Sequence, residues 1–232
     1  MKRLSSVALA TVIGVVVHVA PADAGLCSPQ TTFAHASLQN QFNTFGESID
    51  VLADQQEGLV WTTNASMNST MSIMFQLADN PNLNEFGIVG LNAAGNLSGL
   101  CAVFPANDFQ TGYFAVASFR SGDLLTVNLF NAEASVIKTT TYWGVDRSRF
   151  VYYVKNPQGT YFSHMGFNVD GKVHSLVYAG TNVNKGSWWM AWEDSVDPIG
   201  TADFGDGLMF LESLNPTPTT RGTWASLKAR FR

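Results

Sequence analysis

The sequence predicts an all-β fold, an antiparallel β-sandwich of the jelly-roll kind with a short N-terminal helix. Between residues 59 and 214, about ten short runs are rich in β-branched and aromatic residues. Turn segments rich in Gly, Asn and Asp separate these runs at nearly regular spacing, and long helical patterns do not alternate with them. This pattern is typical of a β-sandwich or jelly roll and disfavours a parallel α/β fold. The predicted strands are LVWTT, MSIMFQLA, FGIVGL, LCAVF, YFAVASF, LLTVNLF, SRFVYYV, VHSLVYAG, SWWMAWE and LMFLESL.

The N-terminal helix is predicted from the segment AHASLQNQFNTFGES. Leu38, Phe42 and Phe45 recur at positions i, i+4 and i+7, which places three apolar side chains on one helical face. The helix is expected to end near Gly46 and to pack on the main body.

Between Phe167 and Val173, the segment NVDGK contains an Asp-Gly pair, which predicts a β-hairpin.

The two ends of the chain are predicted to lie outside the sandwich. Residues 1–24 combine a basic start, an apolar stretch and an Ala-x-Ala pattern ending at Ala24, as in a secretory signal peptide. An uncleaved N-terminal anchor is the alternative. Residues 25–58 form an N-terminal arm with the helix, residues 59–214 the sandwich, and residues 215–232 a flexible basic tail. The tail is either an ordinary frayed end or a degenerate sorting signal without its hydrophobic span.

Composition restricts the partners of the protein. The formal net charge is −5, with only 13 Lys and Arg among 232 residues, which argues against nucleic-acid binding. We expect an exported chain without a membrane span in its mature part. In an oxidising compartment Cys27 and Cys101 favour a disulfide that ties the arm to the body. The alternative is one buried thiol and one incidental thiol.

The most unusual stretch is WEDSVDPIGTADFGDGLMF, residues 192–210, which gathers five of the eighteen acids of the chain between two apolar runs. It is either a solvated acidic turn or a site for a hard cation such as Ca²⁺, which takes six to eight oxygen ligands. Glycines within the loop permit a tight backbone. Its spacing differs from that of the helix-loop-helix calcium motif. The acids are Glu193, Asp194, Asp197, Asp203 and Asp206.

Several motifs, taken in order, resemble a family of exported bacterial domains of unknown function. The family closes on F-E-D, a glycine-containing spacer and D-x-D-[YF]-N-D, which WED at residues 192–194 and TADFGD at residues 201–206 resemble. Upstream, SIMFQLADNPNLNEFGIVG is similar to the family's strand, turn and N-x-F-G-I-[YV]. FVYYVKNPQGTYFSHMGFNVDGKVHSLVYAG is similar to its aromatic strand followed by N-x-D-G-x-x-H. The resemblance covers roughly residues 38–214, and the family occurs in proteins with PEP-type sorting signals and in large repeat-containing adhesins.

The resemblance makes the acids around residues 193–206 candidates for calcium binding, or for an enzymatic role suggested for the family. Two departures weaken an oxygen cage, because Thr201 and Gly205 stand where the family often has Asp and Asn. Asp197 and backbone carbonyls could then complete a site. By position the resemblance transfers metal candidacy to Glu193, Asp194, Asp203 and Asp206.

A carbohydrate-active hydrolase is the main alternative. Glu193 could serve as its acid and Asp206 or Asp203 as its partner, since glycoside hydrolysis uses two carboxyl groups. Trp189 could stack on a sugar, although strand alternation places one of the two faces of SWWMAWE in the core. No H-E-x-x-H zinc motif or G-x-S-x-G elbow is present.

The leading expectation is a secreted, non-enzymatic module whose acidic hairpin loop binds calcium for stability or for recognition of an extracellular glycan or surface ligand. A purely structural surface component without a ligand is the third possibility.

Overall fold

The computed structural model describes residues 36–76, 84–108, 110–195 and 203–217. In this part of the chain, two antiparallel sheets and one short helix near the N-terminus form a β-sandwich, which confirms the predicted fold class. The helix is α1, Ala36–Thr44, and single 3₁₀ turns span Ala106–Asp108, Met165–Phe167 and Asn182–Asn184. The strands are β1 (Gln55–Gln56), β2 (Val60–Thr63), β3 (Asn68–Gln76), β4 (Glu85–Leu91), β5 (Leu97–Phe104), β6 (Phe114–Arg120), β7 (Leu124–Phe130), β8 (Val136–Trp143), β9 (Phe150–Asn156), β10 (Gly159–Phe162), β11 (Ser175–Ala179), β12 (Trp188–Trp192), β13 (Gly207–Glu212) and β14 (Leu214–Thr217).

The larger sheet has eight strands in the order β1-β11-β12-β13-β3-β6-β7-β8. The second sheet runs in the order β14-β2-β9-β4-β5, and β10 pairs with β9 beside this path. Across residues 36–217, as far as they are described, no helix has both the length and the apolarity needed to span a membrane.

The main hydrophobic core lies between the two sheets. Burial alternates strictly along β7, where Leu125, Val127 and Leu129 are buried and the residues between them are partly exposed. This period of two places every second side chain against the other sheet. Large aromatic side chains, including Trp61 and Trp192, fill the interior.

A second core lies on the outer face of β11, β12 and β13, where α1 covers the sheet. Leu38 and Phe42 of the helix are buried there together with Tyr178 and Trp189. The helix ends as predicted, and Gly46 two residues later has φ +74°, the left-handed conformation that glycine adopts without strain. The predicted helical face is therefore the face that packs on the sheet.

The carboxylate of Glu47 ties this helix end to the sheet. Its Oε2 accepts hydrogen bonds from the Thr181 N–H (2.6 Å) and hydroxyl (2.5 Å), and its Oε1 from Asn184 Nδ2 (2.6 Å) and Trp189 Nε1 (2.7 Å). Burial raises the pKa of Glu47, but the four hydrogen bonds outweigh burial and leave the pKa lower than usual.

The prediction of a hairpin at the Asp-Gly pair is wrong. The strands on either side, β10 and β11, belong to different sheets, so residues 163–174 cross from one sheet to the other. Asn168 organises the crossing by accepting from the Phe162 N–H (2.6 Å) and donating to the carbonyls of Phe162 (3.1 Å) and Lys172 (2.8 Å). Gly171 does adopt φ +65°, so the pair makes a turn without pairing its neighbours.

Four strands among the described residues were not predicted: the short β1 and β10, and also β8 and β14. β8 reads VIKTTTYW and is exposed along most of its length, so it lacks the apolar alternation that marks a strand. β14 pairs with β2 and runs to Thr217, past the boundary predicted at Leu214. It contains Pro216 and is an edge strand, where a missing N–H is tolerated.

Within the described residues Cys101 has no disulfide partner; it is buried in the main core, and burial raises the pKa of its thiol to about 11. Its predicted disulfide partner, Cys27, lies outside the described residues.

Candidate metal centre

The acidic residues lie where β12 ends and β13 begins. These neighbouring antiparallel strands pair Trp192 with Gly207, and the Asp206 N–H donates to the Trp192 carbonyl (3.2 Å). Glu193 and Asp194 follow Trp192 directly, while Asp206 precedes Gly207. The ladder therefore holds acids that are twelve or thirteen residues apart in sequence side by side.

Three carboxylates converge at this point. One carboxylate oxygen from each of Glu193, Asp194 and Asp206 lies within 4.8 Å of the other two. The Asp194 N–H also donates to Asp206 Oδ2 (2.8 Å), which fixes two of the three relative to each other. This cluster could hold a metal ion, as the sequence predicted for these three residues.

Glu193 is buried, with 4% of its surface exposed, and its carboxylate is held by the loop that precedes β13. Its Oε1 accepts from the Ser195 hydroxyl (2.7 Å), and its Oε2 accepts from the Asp203 N–H (3.0 Å) and Phe204 N–H (3.4 Å). Phe204 has φ +56°, an uncommon conformation for a bulky residue, and its ring is buried in the second core. Core packing of Phe204 thus holds the amide that orients Glu193.

Asp194 connects the site to the other sheet. Asn84, directly before β4, donates its side-chain amide to Asp194 Oδ2, and Asn156, at the end of β9, donates to the Asp194 carbonyl (2.5 Å). Both asparagines lie at the ends of strands of the second sheet, whereas Glu193 and Asp206 flank strands of the first. The cluster consequently lies where the two sheets meet.

The two asparagines were missed as site residues by sequence reasoning. Asn84 is the first residue of N-E-F-G-I-V, one of the motifs behind the family resemblance, so the sequence did contain a signal that could have marked it as a site residue. Asn156 lies in KNPQG, a segment predicted as a turn, and carries no comparable signal.

The surroundings of Asp206 favour its protonated form. Burial and the negative charges of Glu193 and Asp194 raise its pKa to about 8, and a hydrogen bond to Glu193 favours its protonated form in the same direction. Without a cation the cluster therefore retains a proton near neutral pH. A bound cation would replace that proton and reverse the shift.

His174 and Tyr161 support the cluster from the side. The Glu193 N–H donates to the His174 carbonyl (3.0 Å), while His174 Nδ1 lies 3.0 Å from the Glu193 carbonyl oxygen. His174 Nε2 lies 3.0 Å from Asp170 Oδ2, and its ring stacks on Tyr161 with centroids 4.2 Å apart. Both ring nitrogens are thus engaged, which gives His174 a positioning role and leaves the cluster with oxygen ligands.

The Tyr161 hydroxyl is an unsatisfied polar group beside these acids. Tyr161 is 5% exposed, and among the described residues its buried hydroxyl has no hydrogen-bond partner. Burial raises its pKa, and the charges of Asp170, Asp194 and Glu193 raise it further. The hydroxyl is therefore near enough to the carboxylates for their charges to act on it.

The other predicted site residues have different positions. Asp203 lies beside the cluster, where its Oδ1 accepts from the Gly205 N–H (2.9 Å), and it is not one of the three converging acids. Asp197 and Thr201 lie outside the described residues.

The Trp189 side chain is not a surface platform for sugar stacking. It is 1% exposed and lies in the second core, where Phe45 stacks on it at 5.2 Å and Phe42 and Phe210 also contact it. The predicted role in ligand binding therefore has to be corrected, because α1 covers the strand face that sequence alternation left open. A sugar ring has no access to the indole in this structure.

Two comparisons with known proteins found no match for this chain. No protein-family model matches the chain, and no curated protein matches it. The resemblance to exported bacterial domains stays a prediction from the motifs.

Proposed function

We propose that this protein is an exported β-sandwich module that binds a divalent cation, calcium by preference, through Glu193, Asp194 and Asp206. The observation that carries the proposal is the convergence of three carboxylate oxygens within 4.8 Å at the junction of the two sheets. Export is inferred from the predicted signal peptide in residues 1–24, and an extracellular setting offers millimolar calcium to a weak site.

The kind of ion follows from the ligands. The potential metal ligands among the described residues around the cluster are carboxylate, amide, hydroxyl and backbone oxygens, which suit hard cations such as Ca²⁺ and Mg²⁺. Zn²⁺ prefers nitrogen and sulfur ligands, and both nitrogens of His174 have other contacts. Three acids in a loop of irregular backbone favour Ca²⁺ over Mg²⁺, because Ca²⁺ accepts variable geometry.

The ion would brace the sandwich. Asp194 is bound to Asn84 and Asn156 of one sheet, while Glu193 and Asp206 extend from strands of the other. A cation on all three acids would neutralise their repulsion and connect both sheets at one end. A ligand present at 100 times its dissociation constant stabilises a fold by about 2.7 kcal/mol.

Thermal unfolding tests the proposal. The protein is melted at pH 7 in chelator, in millimolar calcium and in millimolar magnesium, and we expect calcium to raise the Tm most. Asp194→Asn should reduce this rise, since a neutral amide is a weaker ligand for calcium than a carboxylate. Asp123→Asn is the matched control, because Asp123 is an exposed acid in a turn with φ +56°, which asparagine tolerates. An unchanged Tm for the wild type in calcium would rule the site out.

A glycoside hydrolase using Glu193 and Asp206 remains the second candidate, since retaining enzymes place two carboxyl groups about 5 Å apart. In the cluster one oxygen of Glu193 and one of Asp206 lie within 4.8 Å of each other, so the two carboxyl groups are neighbours. Burial of Glu193 and its bonds to Ser195 and the Asp203 amide favour the binding module. A glycan panel separates the two: turnover that is lost in Glu193→Gln would support the enzyme.

A further inference from the structure

Strand β8 forms one edge of the eight-stranded sheet and is unusually exposed for a strand of eight residues. Trp143 is 74% exposed, Val136 56% and Ile137 43%. Natural edge strands are commonly short, charged or interrupted, because their unpaired backbone groups can pair with another chain. β8 carries one charged residue, Lys138, and an irregularity in pairing near its first residue.

Pairing with β7 shows which side chains share the outer face of the sheet. Thr141 pairs with Thr126, and their hydroxyls are 3.5 Å apart. The Thr139 hydroxyl donates a hydrogen bond to Oδ1 of Asn128, which lies on β7 (2.8 Å). Trp143 pairs with Leu124, so Thr139, Thr141 and Trp143 project from one face.

We propose that β8 pairs with β8 of a second copy of this chain, antiparallel and across a two-fold axis at Thr140. In this register Thr139 lies opposite Thr141 of the second copy, and Ile137 lies opposite its Trp143. A two-fold axis perpendicular to the sheet joins like faces, so opposed residues must be an even number of positions apart. This register meets that requirement and joins the two eight-stranded sheets into one.

The second copy fits because the strand is complementary to itself. An Ile–Trp pair forms at each end of the new ladder, and rows of threonine hydroxyls lie between them. Aromatic–β-branched and Thr–Thr cross-strand pairs are both stabilising. Lys138 lies opposite Tyr142 of the other copy, so the two lysines do not face each other.

This interface is separate from the cation site. In the sheet order, β3, β6 and β7 lie between β13 and β8. Association through β8 therefore predicts a dimer whether or not calcium is present.

Sedimentation velocity over a range from about 1 µM to about 1 mM tests the proposal, in calcium and in chelator. The wild type should shift from monomer to dimer with rising concentration. Thr139→Lys combined with Thr141→Lys should weaken the dimer at least about tenfold, because lysines would then face lysines across the axis. Mixing this variant with one carrying Thr139→Glu and Thr141→Glu should restore a dimer containing one copy of each.

The matched control adds two lysines elsewhere, as Val169→Lys combined with Val183→Lys. Both valines are highly exposed and lie in segments outside the strands. This control should associate like the wild type, and far-UV circular dichroism should show that all variants are folded. A wild type that stays monomeric throughout the range, or a dimer unaffected by the lysines at positions 139 and 141, would overturn the proposal.

Discussion

Replacing Asp206 with asparagine should stabilise the cation-free protein while removing its response to calcium. In the native state, burial and the neighbouring charges of Glu193 and Asp194 raise the pKa of Asp206 to about 8, against 3.8 for an ordinary aspartate. The introduced asparagine would resemble the protonated acid, because its amide can donate to Glu193 and its oxygen can accept from the Asp194 N–H. The variant would keep these hydrogen bonds without taking up a proton, whereas the wild type needs that proton to avoid repulsion among the three carboxylates.

The magnitude follows from the pKa shift. Because the native pKa is raised, the native state holds its proton between about pH 4 and pH 8 while the unfolded state releases it. The stability contributed by this proton is therefore fully present below pH 4 and is lost as pH rises toward 8. One pKa unit corresponds to about 1.4 kcal/mol, so the loss at pH 7 is on the order of 2–4 kcal/mol once relaxation of the loop is allowed for.

Chemical denaturation from pH 4 to pH 8 measures this difference. In chelator, the free energy of unfolding of the wild type should fall relative to Asp206→Asn as pH rises, and the variant should be the more stable protein at pH 7. In millimolar calcium the order should reverse, because only the wild type retains all three acids. Equal pH profiles in chelator, or equal stabilisation of both proteins by calcium, would refute the reasoning.

The remaining predictions concern the fold. Glu47→Gln should cost about 1–3 kcal/mol at pH 7, because an amide replaces a carboxylate that accepts four hydrogen bonds. The native pKa of Glu47 is lowered, so this difference should be present above about pH 4.5 and shrink as pH falls further; urea titration at pH 3 and pH 7 would show it, and a cost that does not change with pH would contradict the role of the charge. Gly87→Ala should cost about 1–3 kcal/mol, since its methyl group would collide with the Cys101 carbonyl and the Tyr153 ring. Gly99→Ala, on the exposed side of β5 with open space around it, is the control in the same urea assay, and equal effects of the two alanines would contradict the packing argument.

The strands of the sandwich could be predicted where apolar side chains alternate, as in LLTVNLF of β7. β8 escaped prediction because an edge strand with both faces exposed needs no such alternation. The Asp-Gly turn did not form a hairpin because the chain passes from one sheet to the other there. Which sheet the next strand joins depends on long-range packing, and the residues of the turn do not determine it.

At the site, Glu193, Asp194 and Asp206 could be predicted together because they flank two strands that are consecutive in the predicted order. Asn156 could not, since its contact with Asp194 spans 38 residues and depends on how the sheets pack. For Trp189, alternation correctly separated its face from that of Trp192. Both faces are nevertheless buried, because α1 covers the outer one.

A crystal structure grown in millimolar calcium tests the central proposal most directly, with anomalous diffraction used to identify the ion. The proposal predicts one calcium ion with carboxylate oxygens of Glu193, Asp194 and Asp206 about 2.3–2.6 Å away. A site without an ion under these conditions, with the three acids retaining their hydrogen bonds to one another, would contradict it.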